Sequence, residues 1–389
     1  MISADLPLSL YIHIPWCVKK CPYCDFNSHA QRGALPFDEY VGALLADLDR
    51  DLRAFEGALA HRPLTSVFFG GGTPSLFAPE AIAHILDGVA ARLDLPRGTE
   101  ITLETNPGTV EHGRFDGYLA AGVNRLSFGV QSFDDARLRR LGRIHSAAEA
   151  ERAIKGAQDA GYANLNLDLM YALPEQTLAG ALADVDAALA LQPTHISHYQ
   201  LTLEPNTLFA AKPPPLPDED SAWDMQEACQ ARLAAAGYAQ YEVSAYARDG
   251  LRATHNLNYW TFGDYLGIGA GAHGKLSDLA SGRIVRTAKV KVPASYLDRA
   301  ARGEAFGTQA EVAAAERPFE FMMNALRLVD GVDATLFAAR TGLDAAAIAP
   351  LLHAARARGW LVAEPTRLAP TELGRRYLND VIGLFLPES

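Results

Sequence analysis

The chain has 389 residues, of which 49% are hydrophobic and 21% are charged. These proportions are those of a globular protein, and they exclude wholesale disorder and a collagen-like structure. The 35 Lys and Arg against 46 Asp and Glu leave a net charge of −11. This charge argues against a protein that coats nucleic acid or an anionic membrane through bulk charge.

The N-terminus has no basic region followed by a long apolar stretch, so no secretory signal is visible. The most apolar segment, 178–191, carries Asp184 and Asp186 and does not approach the length of a membrane span. We therefore expect a cytoplasmic, reducing location.

Short β-rich runs alternate with longer helical patterns over the first two thirds of the chain. The predicted strands are 9–14, 66–69, 100–104, 125–130, 164–170 and 196–201. The predicted helices are 37–55, 79–93, 111–121, 147–160, 178–191 and 218–236. The strands are apolar on both faces, which indicates a parallel sheet covered by helices. Six βα units favour an α/β fold built as a partial (β/α)6 TIM-type barrel, with a doubly wound sheet as the alternative.

Two further regions follow this first domain, which we assign to residues 1–240. Residues 241–290 are rich in aromatic residues and Gly, a composition that we expect for loops around a site. Residues 291–389 are rich in Ala, Arg and Leu, with helical patterns at 310–328, 333–340 and 344–358. A predicted strand pair, 360–363 and 367–369, then precedes a last helix from Thr371. This order indicates a mostly helical, winged-helix-like domain, and the negative charge disfavours a nucleic-acid partner.

Three of the four cysteines, Cys17, Cys21 and Cys24, lie within eight residues with the spacing C-x3-C-x2-C. Three thiolates on one loop can bind three corners of an iron–sulfur cube and leave one iron open. Zinc remains an alternative, although it needs a fourth ligand such as His13 or His29. The fourth cysteine, Cys229, lies on an amphipathic pattern and is expected in the core.

This cysteine motif after a first strand resembles the signature of the radical S-adenosylmethionine (SAM) superfamily. The resemblance implies a [4Fe–4S] cluster whose open iron binds SAM. It further implies that the cluster passes an electron to the SAM sulfonium and thereby cleaves SAM. It also implies a set of residues around SAM: the glycine segment after the second strand, the carboxylate at the end of the third, and polar or aromatic residues at other strand ends. These residues are Tyr11, Tyr23, Gly71, Gly72, Thr73, Glu104, Gln131, Arg143 and Asp168.

Longer segments narrow the resemblance to one family. The segments are YIHIPWC (11–17), GGGTP (70–74), NRLSFGVQSF (124–133), DLMYALPEQT (168–177), HNLNYW (255–260) and LGIGAGAHG (266–274). Together they resemble the heme chaperone HemW family, long labelled as oxygen-independent coproporphyrinogen III oxidase-like. The resemblance implies that the protein binds heme and transfers it to acceptor proteins such as respiratory enzymes. Transient contact with membrane proteins and a homodimer are compatible with such a carrier.

Two features distinguish the sequence from the true oxidase. That enzyme carries a further cysteine two residues beyond the triplet, where this chain has Phe26, and it has a longer N-terminal extension. A radical enzyme, such as a coproporphyrinogen dehydrogenase, remains the alternative to the chaperone, and a zinc-bearing interaction module is a third hypothesis. His255, flanked by Tyr259 and Trp260, is our candidate axial ligand of heme.

Overall fold

A computed structural model describes residues 2–3, 5–31, 33–108, 114–248 and 250–387. Within these residues one sheet contains 12 strands, which we number β1–β12 in chain order. They are β1 Leu8–Ile14, β2 Leu64–Gly71, β3 Glu100–Thr105, β4 Arg125–Gln131, β5 Asn164–Tyr171, β6 His195–Gln200, β7 Ala239–Gln240, β8 Ala245–Ala247, β9 Asp264–Ile268, β10 His273–Ser277, β11 Ile284–Lys289 and β12 Gly307–Glu311.

The centre of the sheet is parallel and its two flanks are antiparallel. Strands β1 to β6 pair in sequence order, and β9 pairs with the free side of β1, also in parallel. Strand β8 continues antiparallel from β6, and β10 to β12 continue antiparallel from β9. All six predicted strands are present within a few residues of their predicted ends, and the predicted α/β fold with a partial barrel is confirmed.

Helices cover the outer face of the parallel strands, as the two-sided burial of those strands requires. The α-helices of this part are Phe37–Ala54, Glu56–Leu59, Pro79–Ala90, Phe115–Ala120, Asp135–Arg140, Ala147–Asp159, Leu178–Ala190, Leu208–Ala211 and Glu219–Ala235, with a 3-10 turn at Pro74–Leu76. The helix predicted at 111–121 is observed from Phe115, and its positions 111–113 lie outside the described residues. The predicted helix starting at Ala147 begins with a capping box between Ser146 and Glu149.

Residues 241–290 differ from the expected loops, because most of them form regular elements. Thr254–Trp260 is a helix, and β8 to β11 belong to the main sheet. Glycines in the strands of this segment allow close backbone packing: a Cβ on Gly267 of β9 would overlap the backbone of His273 in β10. Glycine in a strand therefore marks close strand approach here, whereas the composition suggested loops.

The C-terminal region also begins later than residue 291. Helix Pro293–Arg302 packs on helix Phe37–Ala54 through Tyr296, and β12 still belongs to the main sheet. The helix predicted from Ala310 is wrong at its start, since Ala310 pairs with Arg286 in the sheet and the helix spans Arg317–Ala325.

The C-terminal domain is mostly helical, as predicted. Its helices are Arg317–Ala325, Thr335–Thr341, Ala349–Ala357, Glu372–Arg376 and Leu378–Gly383, with a 3-10 turn at Ala345–Ile348. The predicted strand pair is wrong in its first member, 360–363, because Arg367–Leu368 pairs with Val332–Asp333 instead. Only an isolated bridge joins Leu361 to Pro370. The core of this domain includes Ile2 and Leu6 from the start of the chain.

Among the described residues no single helix is long and apolar enough to cross a membrane. One pair of helical segments has the length and apolar composition of a membrane span only when both segments are taken together. These segments are Thr335–Thr341 and Ala345–Ala357, and they are bent by 110° relative to each other.

Candidate functional site

A cavity of about 340 Å³ opens where the carboxyl ends of the parallel strands meet the loop that follows β1. This is the end of the sheet at which barrel proteins place their chemistry. Of the predicted site residues, the cavity is lined by Cys17, Cys21, Tyr23, Cys24, Gly71, Gly72, Thr73, Glu104, Gln131, Arg143 and Asp168. Tyr11 and His255 do not line it.

Residues 17–27, which we call the cysteine loop, place three free thiols at the mouth of this cavity. Cys17, Cys21 and Cys24 are partly exposed and form no disulfide. Burial raises the pKa of the Cys17 thiol, and a hydrogen bond with Thr73 opposes that shift. Among the described residues, no three or more His, Cys, Asp or Glu side chains are grouped so as to hold a single metal ion. In an iron–sulfur cube each thiolate binds a different iron, so the thiols need not converge on one point.

Asn27 anchors the same loop to the last third of the chain. Its side-chain Nδ2 donates to the carbonyl oxygens of Ala270 at 2.8 Å and Lys291 at 2.9 Å. The backbone carbonyl oxygen of Asn27 accepts a hydrogen bond from Nε2 of His13 at 2.9 Å. The position of the loop therefore depends on residues more than 200 positions away in sequence.

The glycine segment after β2 lies directly against the backbone that leads into the cysteine loop. Gly72 N–H donates to the Ile14 carbonyl and Thr73 N–H to the Trp16 carbonyl, both at 2.7 Å. Gly71 has a φ of +114°, and a Cβ there would lie 2.5 Å from the His13 ring. Only glycine combines this backbone conformation with so close an approach.

Two carboxylates face the cavity, Glu104 from β3 and Asp168 from β5, and β4 lies between these two strands. Glu104 accepts a hydrogen bond from Gly71 N–H at 3.1 Å. Burial, followed by the charge of Asp168, raises the pKa of Glu104 to about 8. Burial also raises the pKa of Asp168, although Asn166 Nδ2 donates to it at 2.8 Å. Each carboxylate is thus costly to ionise in the unliganded cavity, and a cationic or hydroxyl-bearing ligand would relieve that cost.

Arg143 connects the cysteine loop to the strand ends. Its guanidinium donates to the Gly129 carbonyl at 2.6 Å, to Asn106, and weakly to Cys21 Sγ at 3.6 Å. Burial would lower the pKa of Arg143, but the neighbouring Tyr23 and Cys21 outweigh burial and raise it. The Arg143 Nε is buried and has no hydrogen-bond partner among the described residues.

Gln131 reaches the cavity through an irregularity in β4. The register with β5 shifts between Gly129 and Gln131, and Gln131 has a φ of +71°. Its side-chain oxygen accepts from the Tyr199 hydroxyl at 2.8 Å. A non-glycine residue in this backbone region carries strain, which is characteristic of functional sites.

Tyr11 lies one layer beneath the cavity. Its hydroxyl is 2.9 Å from His13 Nδ1, and its ring stacks on Phe68. Tyr11 supports the cysteine loop through His13, while its predicted contact with SAM stays a prediction.

The structure places His255 in the barrel core, away from the cavity. Its Nδ1 lies 2.8 Å from the Ser66 hydroxyl and its Nε2 lies 2.8 Å from the Tyr259 hydroxyl. Burial, followed by the charge of Arg125, lowers the pKa of His255 to about 3. Both ring nitrogens have hydrogen-bond partners, so heme ligation by His255 would require either Ser66 or Tyr259 to release one of them.

Several cavity residues were missed from the sequence. Asn106 donates to the Thr73 hydroxyl at 2.6 Å, Ser127 donates to Asp168 at 3.3 Å, and Tyr199 holds Gln131. Asn106 directly follows β3, and the other two lie within parallel strands. Their positions relative to the strand ends could have identified Asn106 and Tyr199 as cavity residues, because parallel strands bring their carboxyl ends to one edge of the sheet.

Comparison with known proteins first defines the class. The family model described as Radical SAM superfamily matches residues 11–187, and that of the HemN C-terminal domain matches residues 312–377. A solved structure of coproporphyrinogen III oxidase (HemN) from Escherichia coli superposes with a TM-score of 0.82 at 24% identity, covering 98% of this chain and 90% of that chain. The fold is that of a radical SAM protein.

Sequence relatives then define the family. Over 382 residues the chain is 51% identical to the heme chaperone HemW of Haemophilus influenzae, covering 98% of both chains. It is 52% identical to the heme chaperone HemW of Escherichia coli over 382 residues, which is 98% of this chain and 99% of that one. The chain belongs to the heme chaperone HemW family, as the sequence motifs predicted.

Proposed function

We propose that this protein binds a [4Fe–4S] cluster through Cys17, Cys21 and Cys24, binds SAM in the adjoining cavity, and carries heme to acceptor proteins in the cytoplasm. The observation that carries the proposal is that three free thiols and the predicted polar residues line one cavity. Membership of the HemW family supports heme as the cargo.

The residues present fit a cluster and a sulfonium nucleotide. The donor set is three thiols on one loop, which suits an iron–sulfur cube with one open corner. The buried Arg143 Nε without a described partner provides a donor for a ligand atom. When bound, the cluster supplies electron-transfer chemistry and an open iron for SAM.

The chain's own groups complement these ligands in charge. Arg143 places positive charge 3.6 Å from Cys21 Sγ, where a thiolate-bound cluster would be negative. Glu104 and Asp168 place carboxylates opposite, where a sulfonium cation or ribose hydroxyls would favour their ionised forms. Gly71 and Gly72 line the cavity, and the lack of a Cβ lets this wall lie directly against the His13 ring and the Trp16 backbone.

The mouth of the cavity also exposes apolar surface. Phe26 is 59% exposed and Val18 is 48% exposed, both on the cysteine loop. Exposed apolar groups beside a polar cavity are suited to a flat hydrophobic cargo such as heme. Delivery to respiratory enzymes would bring the protein into transient contact with membrane proteins, and a homodimer is a further expectation.

A radical SAM oxidase is the second candidate, because the chain shares its fold with the coproporphyrinogen III oxidase HemN. Because that structure is 24% identical, the likeness shows the fold alone. Phe26 occupies the position at which the oxidase is expected to carry a cysteine, and this favours the chaperone.

Anaerobic reconstitution tests the proposal. The wild-type protein should become brown, bind about one cluster per chain, and bind SAM and heme in separate titrations. Replacing Cys17 by Ala should abolish the cluster, whereas the matched control Cys229→Ala should retain it because Cys229 is fully buried, away from the cavity. A colourless protein that ignores SAM would reject the proposal, and turnover of coproporphyrinogen with SAM and reductant would favour the oxidase.

Replacement of His255 by Ala tests the axial-ligand prediction separately. Loss of the Soret shift on heme addition, with cluster content unchanged, would support His255 as the ligand. An unchanged heme spectrum would reject the assignment. Thermal unfolding should accompany the titration, because His255 makes two buried hydrogen bonds.

A further inference from the structure

A chain of hydrogen bonds passes through the barrel from the SAM cavity to the start of helix Thr254–Trp260. Asp168 at the cavity accepts from Asn166 Nδ2 at 2.8 Å, and Asn166 Oδ1 lies 2.6 Å from His195 Nδ1. His195 Nε2 lies 2.8 Å from the Tyr241 hydroxyl, which accepts from Ala253 N–H at 3.2 Å. His195 is fully buried and Tyr241 is 1% exposed.

The hydrogen bonds at the Asn166 end and at the Tyr241 end fix which atom donates at each step between them. Asn166 Nδ2 donates to both Asp168 and the Ser127 hydroxyl, so Asn166 Oδ1 must face His195. His195 Nδ1 therefore carries the proton, and Nε2 accepts from Tyr241. Burial, followed by the charge of Arg125, lowers the pKa of His195 well below its usual value, so the ring is neutral and has only this one N–H.

The amide of Asn166 has two orientations, and only one is compatible with Asp168. Rotation by 180° would point the Asn166 oxygen at the Asp168 carboxylate and replace an attraction by a repulsion. His195 Nδ1–H, at 2.6 Å, is the closest donor that holds the amide in the favourable orientation, with a longer contribution from Ser197 at 3.1 Å. The orientation of Asp168 thus depends on the tautomer of His195.

We propose that His195 is a positioning residue, which holds Asp168 through Asn166 in the orientation that SAM binding requires. This inference rests on the proposed binding of SAM in the cavity. His195 does not line the cavity, so its effect on SAM must pass through Asn166.

Two isosteric variants separate this role from a general role in stability. In His195→Asn the new amide nitrogen occupies the place of Nδ1 and keeps the donor to Asn166, but the contact with Tyr241 is lost. In His195→Gln the new amide reaches the place of Nε2 and keeps Tyr241, but the donor to Asn166 is lost. The matched control is His198→Gln, which changes another buried histidine of the same strand that stacks on Tyr171.

SAM affinity is measured by calorimetry on the reconstituted, cluster-loaded protein, with the unfolding temperature of each variant recorded beside it. We expect SAM to bind up to about tenfold more weakly to His195→Gln, the upper end for the loss of one buried hydrogen bond between neutral groups. His195→Asn and His198→Gln should stay within about threefold of the wild type, since they keep that donor.

The inference is overturned if both His195 variants bind SAM with equal affinity. It is also overturned if their SAM affinities fall only in proportion to their unfolding temperatures. Failure of the wild type itself to bind SAM would overturn the proposed function and this inference together. A measurement without substitutions is ¹⁵N NMR of the histidine side chains. The Nδ1–H tautomer at His195 supports the inference, and the Nε2–H tautomer overturns it.

Discussion

Gly72→Ala tests whether the glycine segment and the cysteine loop form one rigid unit. A Cβ on Gly72 would overlap the Trp16 carbonyl oxygen, lying 2.8 Å from the carbonyl carbon and 3.0 Å from the Ile14 oxygen. These are the two carbonyls that accept from Gly72 and Thr73 at 2.7 Å. The added methyl group can therefore be accommodated only by separating the two segments and stretching both hydrogen bonds.

The cost follows from those contacts. Overpacking of this kind costs about 1–3 kcal/mol, and weakening two backbone hydrogen bonds adds about 1 kcal/mol. We expect the free energy of unfolding of the apo-protein to fall by about 2–4 kcal/mol on these grounds. Because Cys17 directly follows Trp16, iron per chain after anaerobic reconstitution should also fall. Urea denaturation and iron analysis measure the two effects.

Gly42→Ala is the matched control. Gly42 lies in helix Phe37–Ala54, and a Cβ there would meet nothing within 4 Å. This variant should be unchanged or more stable by up to about 1 kcal/mol, because Ala is a better helix former than Gly. Full iron binding and wild-type stability in Gly72→Ala would refute the reasoning.

Two predictions concern buried charge. The pKa of Glu104 is raised to about 8 in the folded protein. Between the ordinary carboxyl pKa and this value the folded state therefore binds more protons than the unfolded state. The free energy of unfolding consequently falls as the pH rises toward 8. Glu104→Gln should make that decline shallower in the apo-protein, as measured by urea denaturation between pH 5 and 8. Other buried carboxyls with a raised pKa, such as Asp51 at about 6, keep their share; an equal decline in the variant would contradict the prediction. Lys275→Met should destabilise the protein by about 3–5 kcal/mol, because it leaves the buried carboxylate of Asp264 without the partner 2.7 Å away. The remaining partner of Asp264, Arg62 at 2.9 Å, makes the lower end of that range the expected value, and no loss of stability would show that the ion pair contributes little.

The sequence predicted the parallel strands and most of the cavity because both depend on local patterns. Apolar runs such as β1 are buried on both faces, and this burial is what their composition indicates. Because the carboxyl ends of parallel strands meet at one edge, residues such as Glu104 and Asp168 could be assigned to one cavity before their distances were known. The predicted family also assigned the glycine segment to this cavity, which it lines, whereas its hydrogen bonds with Ile14 and Trp16 are seen only in the structure.

Long-range contacts explain what the sequence did not predict. The HNLNYW segment suggested a heme ligand, His255, flanked by aromatic residues, but its helix packs against β2, and the Ser66 hydroxyl lies 2.8 Å from one ring nitrogen of His255. Asn27 carried no motif of its own, and its role depends on carbonyl groups at Ala270 and Lys291. The pairing of β9 with β1 joins the two parts of the chain, and no local pattern specifies such a pairing.

Gly271→Ala tests whether that long-range anchor controls the cluster. Gly271 has a φ of +85°, and a Cβ there would overlap the Asn27 side chain, at 2.7 Å from its Cγ and 3.0 Å from its Cβ. The control is Gly282→Ala, because Gly282 has a similar φ of +71° but no atom within 4 Å of the added Cβ. Both variants therefore carry backbone strain of about 1–2 kcal/mol. Only Gly271→Ala displaces Asn27.

Iron per chain after reconstitution, and the rate at which a chelator removes that iron, should distinguish the two glycine variants. We expect Gly271→Ala to lose iron several-fold faster than Gly282→Ala, because the loop that carries the cysteines is no longer fixed by Asn27. Asn27→Ala should reproduce this loss without any backbone strain. Equal rates in the two glycine variants would show that the cysteine loop holds its position without the last third of the chain.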